Sequence, residues 1–365
     1  MRLGKRIRPI RQLTRFEESP ELELRFYLFI SAVATVGVAY SIVMISQEVA
    51  LWEMLVTRNI NVAAAALPHG AGLSTLRYAA AIAAPVGVFL WQRRCAPLSL
   101  GIWNVLLLIV SVTLASRLSL IIAVLVYLFL FLRTTGAARI RPWILIAASL
   151  GLLLMLTVLN YVRTAGTYEK FGVDNPIAMN FYQIAAYLGA PAQVSLGVST
   201  AIAKGEFMVA GDPITSLHVI LPTFLDFEKL PFGNGTVAGR YDNLVSVAEN
   251  FNANSAFADT YARYGWWGLF YILCALGFAA FLFGVFAHYR SVVAVISAVL
   301  LYGFADFWRG FLFNQGVLIA LVLFAMAGLG FALLWPSAVR RFQSIRRSRD
   351  GTGAGVHQQA VGQRD

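Results

Sequence analysis

The sequence predicts an all-α polytopic membrane protein with about eight transmembrane helices and a large outer, extracytoplasmic loop. Three observations carry that reading. Of the 365 residues, 59% are hydrophobic and only 13% charged. Uncharged runs of about 20 residues recur along the chain. The basic residues gather on one side of those runs. A soluble domain is about one-quarter charged, so a chain with mean hydropathy +0.69 cannot cover a water-facing surface. This excludes a soluble enzyme, a secreted disulfide scaffold and a disordered chain. Cys95 sits in a short basic loop and Cys274 inside an apolar run, so neither a disulfide framework nor a thiolate metal site is expected.

Residues 1–25 form a basic N-terminus that is too long and too acidic (Glu17, Glu18, Glu21, Glu23) for a cleaved signal peptide. The first span therefore reads as a signal anchor. Five spans fill residues 26–161, near 26–46, 78–92, 98–116, 118–132 and 143–161. The second is closed by Arg93 and Arg94, the fourth by Arg133, Arg139 and Arg141. Between the first two, residues 47–77 have the pattern of an interfacial helix. Residues 162–264 form the large outer loop, and residues 265–335 hold the last three spans, near 265–287, 291–308 and 311–335. The tail, 336–365, is basic, then Gly-rich and polar, and reads as disordered.

With a cytoplasmic N-terminus, the inner side carries 19 basic and 6 acidic residues (net +13), the outer side 10 basic and 12 acidic (net −2). That asymmetry fits both termini inside. The overall charge of +11 is thus mostly topology with some attraction to anionic lipid, and no nucleic-acid partner is expected.

The outer loop is too long to be passive. Its segments FYQIAAYLGAPAQVSLGV and SLHVILPTFLDF are apolar and suit helices at or partway into the membrane. Four arginines, Arg117, Arg163, Arg240 and Arg309, lie on the outer side, where charge bias disfavours them. Singly, each can snorkel to lipid phosphate. Together, guanidinium groups suit a pyrophosphate leaving group without a metal. The stretches Arg240–Asn243, Glu249–Ser255 and Asp259–Gly265 interleave amides and carboxylates with aromatics, as in a sugar site. Asn254 or Ser255 also suits a helix N-cap, with Asp259 in the first turns. Asp306 is costly in lipid, and Arg309 three residues on is a natural partner. GNGTVAGR lacks the lysine of a phosphate-cradling loop, and the four histidines show no zinc-binding spacing.

These residues resemble the bacterial O-antigen and exopolysaccharide repeat-unit polymerases, the Wzy-type family. The similarity lies in Ser116-Arg117 at the outer end of a hairpin, Arg163 just past the next span, and Tyr187 and Pro191 in a long outer loop. It continues in Asn254-Ser255-Ala256-Phe257, then Tyr261, Gly265 and Gly268 entering a span, and covers roughly 98–290. The resemblance implies a metal-independent glycosyltransferase, with no cofactor, on the outer face of the bacterial cytoplasmic (inner) membrane. It would move a growing glycan from undecaprenyl pyrophosphate to a lipid-linked repeat unit for lipopolysaccharide or exopolysaccharide biosynthesis. Its partners would be that donor and acceptor, membrane lipid and a chain-length regulator. Under that reading Arg117, Arg163 and Arg240 stabilise pyrophosphate, and Asn254, Tyr261, Tyr187 and Arg309 bind substrate. Asp259 or Glu249 serves as the base. An O-antigen ligase is the nearer alternative. It resembles this chain less, because only His218 lies in the outer loop. A polysaccharide or lipid-linked sugar transporter is the other, and Asp306 is its only candidate within or at the end of a span.

Overall fold

The computed structural model describes residues 10–48, 72–114, 118–135, 150–151, 153–158, 161, 172–205, 212–222 and 255–335. Among them every regular element is helical. The helices are α1 (Arg11–Glu18), α2 (Pro20–Glu48), α3 (Ala80–Gln92), α4 (Leu98–Leu114) and α5 (Leu118–Thr135), followed by α6 (Pro176–Ala203), α7 (Pro213–Ser216), α8 (Ala256–Phe286), α9 (Val295–Ala305) and α10 (Gly316–Leu334). Short 3-10 turns precede α3 (Leu73–Ala79) and α9 (Val292–Ala294). Among the described residues five segments are long and apolar enough to cross a membrane: Pro20–Gln47, Leu73–Gln92, Leu118–Thr135, Ala256–Phe286 and Gly316–Leu334. Leu98–Thr113 and Val292–Ala305 are shorter apolar helices. This all-helical architecture fits a multi-pass membrane protein. Most of the fifth predicted span, 143–161, lies outside the described residues.

Apolar residues sit on both faces of these helices. In α2 the inward face is Tyr27, Ile30, Ala34, Val38, Ser41 and Ile45, all buried at a spacing of three to four. The opposite face shows Leu28, Val36 and Val43 to the surroundings. A water-soluble helix would place charge there, whereas a lipid-facing one does not need it. Two helices are buried nearly all round, α3 (Ala80–Gly87) and α9 (Val295–Leu300), and form the centre of the bundle. Small residues let backbones approach. A Cβ on Gly37 would lie 2.1 Å from the Arg77 nitrogen, and one on Gly87 2.3 Å from the Tyr27 hydroxyl. Beside that contact, Asn104 of α4 donates to Tyr27 (2.8 Å) and Ser31 (2.9 Å) of α2.

Polar contacts sort the helix ends into two sets. At the first end the buried Glu23 accepts from Arg93 Nη1, at 2.8 and 2.7 Å, and from the Val292 N–H, at 3.3 Å. Nearby, Arg133 donates to the His288 carbonyl, Arg25 to that of Trp335, and the Arg290 N–H to Glu17. The start of α2 thus meets the ends of α3, α5, α8 and α10 and the start of α9. Helix α1 closes this end: Leu13 and Phe16 turn into the core, and the Ile10 N–H donates to Tyr289. At the second end the starts of α5, α8 and α10 meet the end of α9. α5 therefore finishes at the first end, and α8 begins at the second.

One boundary differs from the sequence reading. The sixth predicted span, 265–287, belongs to a helix that starts at Ala256, capped by Ser255, whose Oγ accepts from the Ala258 N–H. Gly265 sits at φ 62° inside it, so the helix bends there instead of starting there. Residues 162–264 also contain the 28-residue α6, with Pro176 in its first turn and Asn175 as cap.

Candidate functional site

The second end of the bundle gathers chemistry-bearing residues from distant parts of the chain. Helix α9 stops at Ala305 with Asp306 as its C-cap, and the Asp306 carbonyl takes the N–H of Arg309 (2.9 Å) and Gly310 (3.2 Å). That turn brings the two side chains together. Arg309 Nε donates to both Asp306 oxygens, at 3.0 and 3.3 Å, and Nη2 donates to Oδ2 at 2.9 Å. The Asp306 side chain is only 13% exposed and that of Arg309 28%. Burial works against the Arg309 charge most strongly. The hydrogen bonds and charge of Asp306 outweigh it and hold the guanidinium above its ordinary range.

Helix α6 comes to this pair from the outer-loop region. The guanidinium of Arg309 lies over the Tyr187 ring, 5.3 Å from its centroid. Further along α6, Ser195 bonds Ser255 (3.1 Å), and Val194, Val198 and Ala201 pack against Ala262 of α8. The Ala256 N–H donates to Phe307 O, and the Phe257 and Phe307 rings meet edge to face. Segment 212–222 covers the same region. Ser216 Oγ donates to the Tyr264 carbonyl, and Asn314 Nδ2 to that of Val219. Asp212 caps α7 by accepting from the Thr215 N–H, which holds its carboxyl below the usual range.

A narrow cleft opens between α5 and the α9–α10 connection, lined by Leu118, Ile122, Tyr302, Leu312, Gln315 and Leu318. Leu118 follows Arg117 in sequence. The chain matches no family model, no curated protein and no solved structure.

Of the residues singled out in the sequence, the structure brings Tyr187 and Arg309 together. Asp259 and Tyr261 lie in the first turns of α8. Asp259 accepts from Arg263 Nε at 3.0 Å and is about as exposed as its partner. Tyr261 packs edge to face on Trp266. Arg117, Arg163, Arg240, Glu249 and Asn254 lie outside the described residues.

Sequence reasoning missed two buried amides of α6, Asn180 and Gln183, each with a bonding partner. They precede Tyr187 by seven and four residues and share its face. The outward face carries Ile177, Phe181, Ile184 and Leu188 instead, all exposed. The first half of this helix keeps its amides inward. The signal was available as polar residues at helical spacing in an apolar segment.

Proposed function

We propose that this protein is a membrane glycosyltransferase that joins lipid-linked oligosaccharide repeat units into a surface polysaccharide on the outer face of the bacterial inner membrane. One observation carries the reading. An arginine fixed by a largely covered carboxylate meets an aromatic residue of the long 162–255 segment, at the end of an apolar bundle opposite the basic N-terminus. Such a place suits a substrate with a lipid tail in the membrane, a diphosphate at its surface and sugars above it.

The proposal includes eight spans with both termini cytoplasmic. The charge split supports it, and so does the path of the helices. Because α5 ends where α8 does not begin, the intervening chain must cross an odd number of times, and the apolar run 143–161 supplies one crossing. The second end is then the outer one.

In the proposed reaction, an acceptor sugar hydroxyl attacks the anomeric carbon of the donor glycan. The bond from that carbon to the pyrophosphate oxygen breaks, and the lipid pyrophosphate leaves as an anion. Arg117, Arg163 and Arg240 stabilise the departing charge, and Arg309 and Tyr187 bind the substrate. Asn254 and Tyr261 position sugar. Asp259 or Glu249 takes the hydroxyl proton. Asp259 can do so only by sharing its carboxylate with Arg263.

A strain lacking the protein tests this. Its surface glycans should be single repeat units, with the longer chains lost. Unchanged chain length with less total glycan would point to export or ligation instead.

A further inference from the structure

We propose that Asp306 is a positioning residue that turns Arg309 into a one-sided fork for a phosphoryl oxyanion at this end of the bundle. A guanidinium has two edges that can each offer parallel N–H donors. Asp306 occupies the edge made by Nε and Nη2. The Tyr302 hydroxyl also interacts with both members of the pair, and the guanidinium hydrogens on Nη1 and Nη2 that face away from the carboxylate match two oxygens of one phosphoryl group. Tyr187 lies against one face of the plane at 5.3 Å, so the fork cannot swing freely. The Arg309 side chain is more exposed than that of Asp306, 28% against 13%. The ligand class rests on the polymerase reading, in which a lipid-linked diphosphate arrives here. A phospholipid headgroup carries the same chemistry.

The test uses full-length protein in phosphatidylcholine nanodiscs, inorganic pyrophosphate as probe and thermal unfolding as readout. Pyrophosphate should raise the Tm of the wild type. Its apparent affinity should fall about 10–100-fold in Asp306→Asn, as when an orienting partner of a ligand-binding group is lost. Asp306→Glu should recover much of that loss. Tyr187→Leu, on a different helix, should weaken binding about two- to fivefold and serves if Asp306→Asn does not fold. Equal affinity in wild type and Asp306→Asn, or in wild type and Tyr187→Leu, overturns the proposal, as does wild-type protein that pyrophosphate does not shift.

Phosphatidylglycerol nanodiscs separate the two sources. If that lipid suppresses pyrophosphate binding only while Arg309 is present, a headgroup fills the fork and the donor assignment is overturned. The polymerase reading fails separately. Normal glycan length in the deletion strain would refute it and leave Arg309-dependent pyrophosphate binding standing.

Discussion

A guanidinium is a planar fork of five donors and an ammonium is a compact point charge, so lysine is the informative replacement for the outer arginines. If Arg117 stabilises a departing pyrophosphate, Arg117→Lys should already impair polymerisation severely, because charge is kept and geometry lost. Arg117→Ala should abolish long chains while protein still accumulates, since one electrostatic donor is worth about 10²–10³ in rate. A snorkelling arginine would tolerate lysine, so normal glycan length in Arg117→Lys at matched protein level would leave it as an anchor. Asn104 is a different case, wholly buried and bonded to Tyr27 and Ser31. Asn104→Leu should cost about 1–3 kcal/mol, read as a lower unfolding temperature in detergent, because the two hydroxyls lose their shared amide. At this scale the sequence was legible where partners are close along the chain. Asp306 and Arg309 stand three residues apart, and the turn that ends α9 pairs them. The contact of Arg309 with Tyr187 joins residues far apart, and no local pattern contains it.

Helices were legible wherever burial on the inside and lipid on the outside both ask for apolar residues. That double demand makes α2 and α10 plain runs of hydropathy. It fails where a helix must also carry chemistry. In α6 the sequence predicts helix over 181–198 only, because Asn180, Gln183 and Pro191 lower its hydropathy. α8 begins nine residues before the apolar run because Ser255 caps a polar first turn and Gly265 absorbs the bend. The junction of α2 with α3 and α9 also hangs on one residue. Glu23 is fully covered, while its partner Arg93 is about one-third exposed. Glu23→Gln leaves Arg93 without its counter-charge and weakens the hold on the Val292 N–H. Breaking a buried pair from one side costs about 3–5 kcal/mol. Partial solvation of Arg93 places this variant at or below the lower bound. A large drop in unfolding temperature should follow for Glu23→Gln, and a much smaller one for the exposed Glu21→Gln. Equal effects would mean that the carboxylate contributes no specific pairing.

For the whole molecule, the proposed topology rests on charge and on helix direction. The basic excess places the N-terminus, the 288–290 turn and the tail on one side. The contacts of Glu23, Glu17 and Arg133 put the N-terminal segment and the 286–292 turn at the same end of the bundle, without reference to charge. A mistaken count of spans before α8 would reverse one of these and not the other. Reporter fusions decide it. A periplasm-active reporter should work at residue 200, within α6, and stay silent at residue 290, and a cytoplasm-active reporter should give the opposite pattern. A cytoplasmic signal at both positions would place α6, Arg309 and Tyr187 on the inner side. Lipid-linked sugars exposed at the outer face would then be out of reach, and the polymerase reading would fail with the topology.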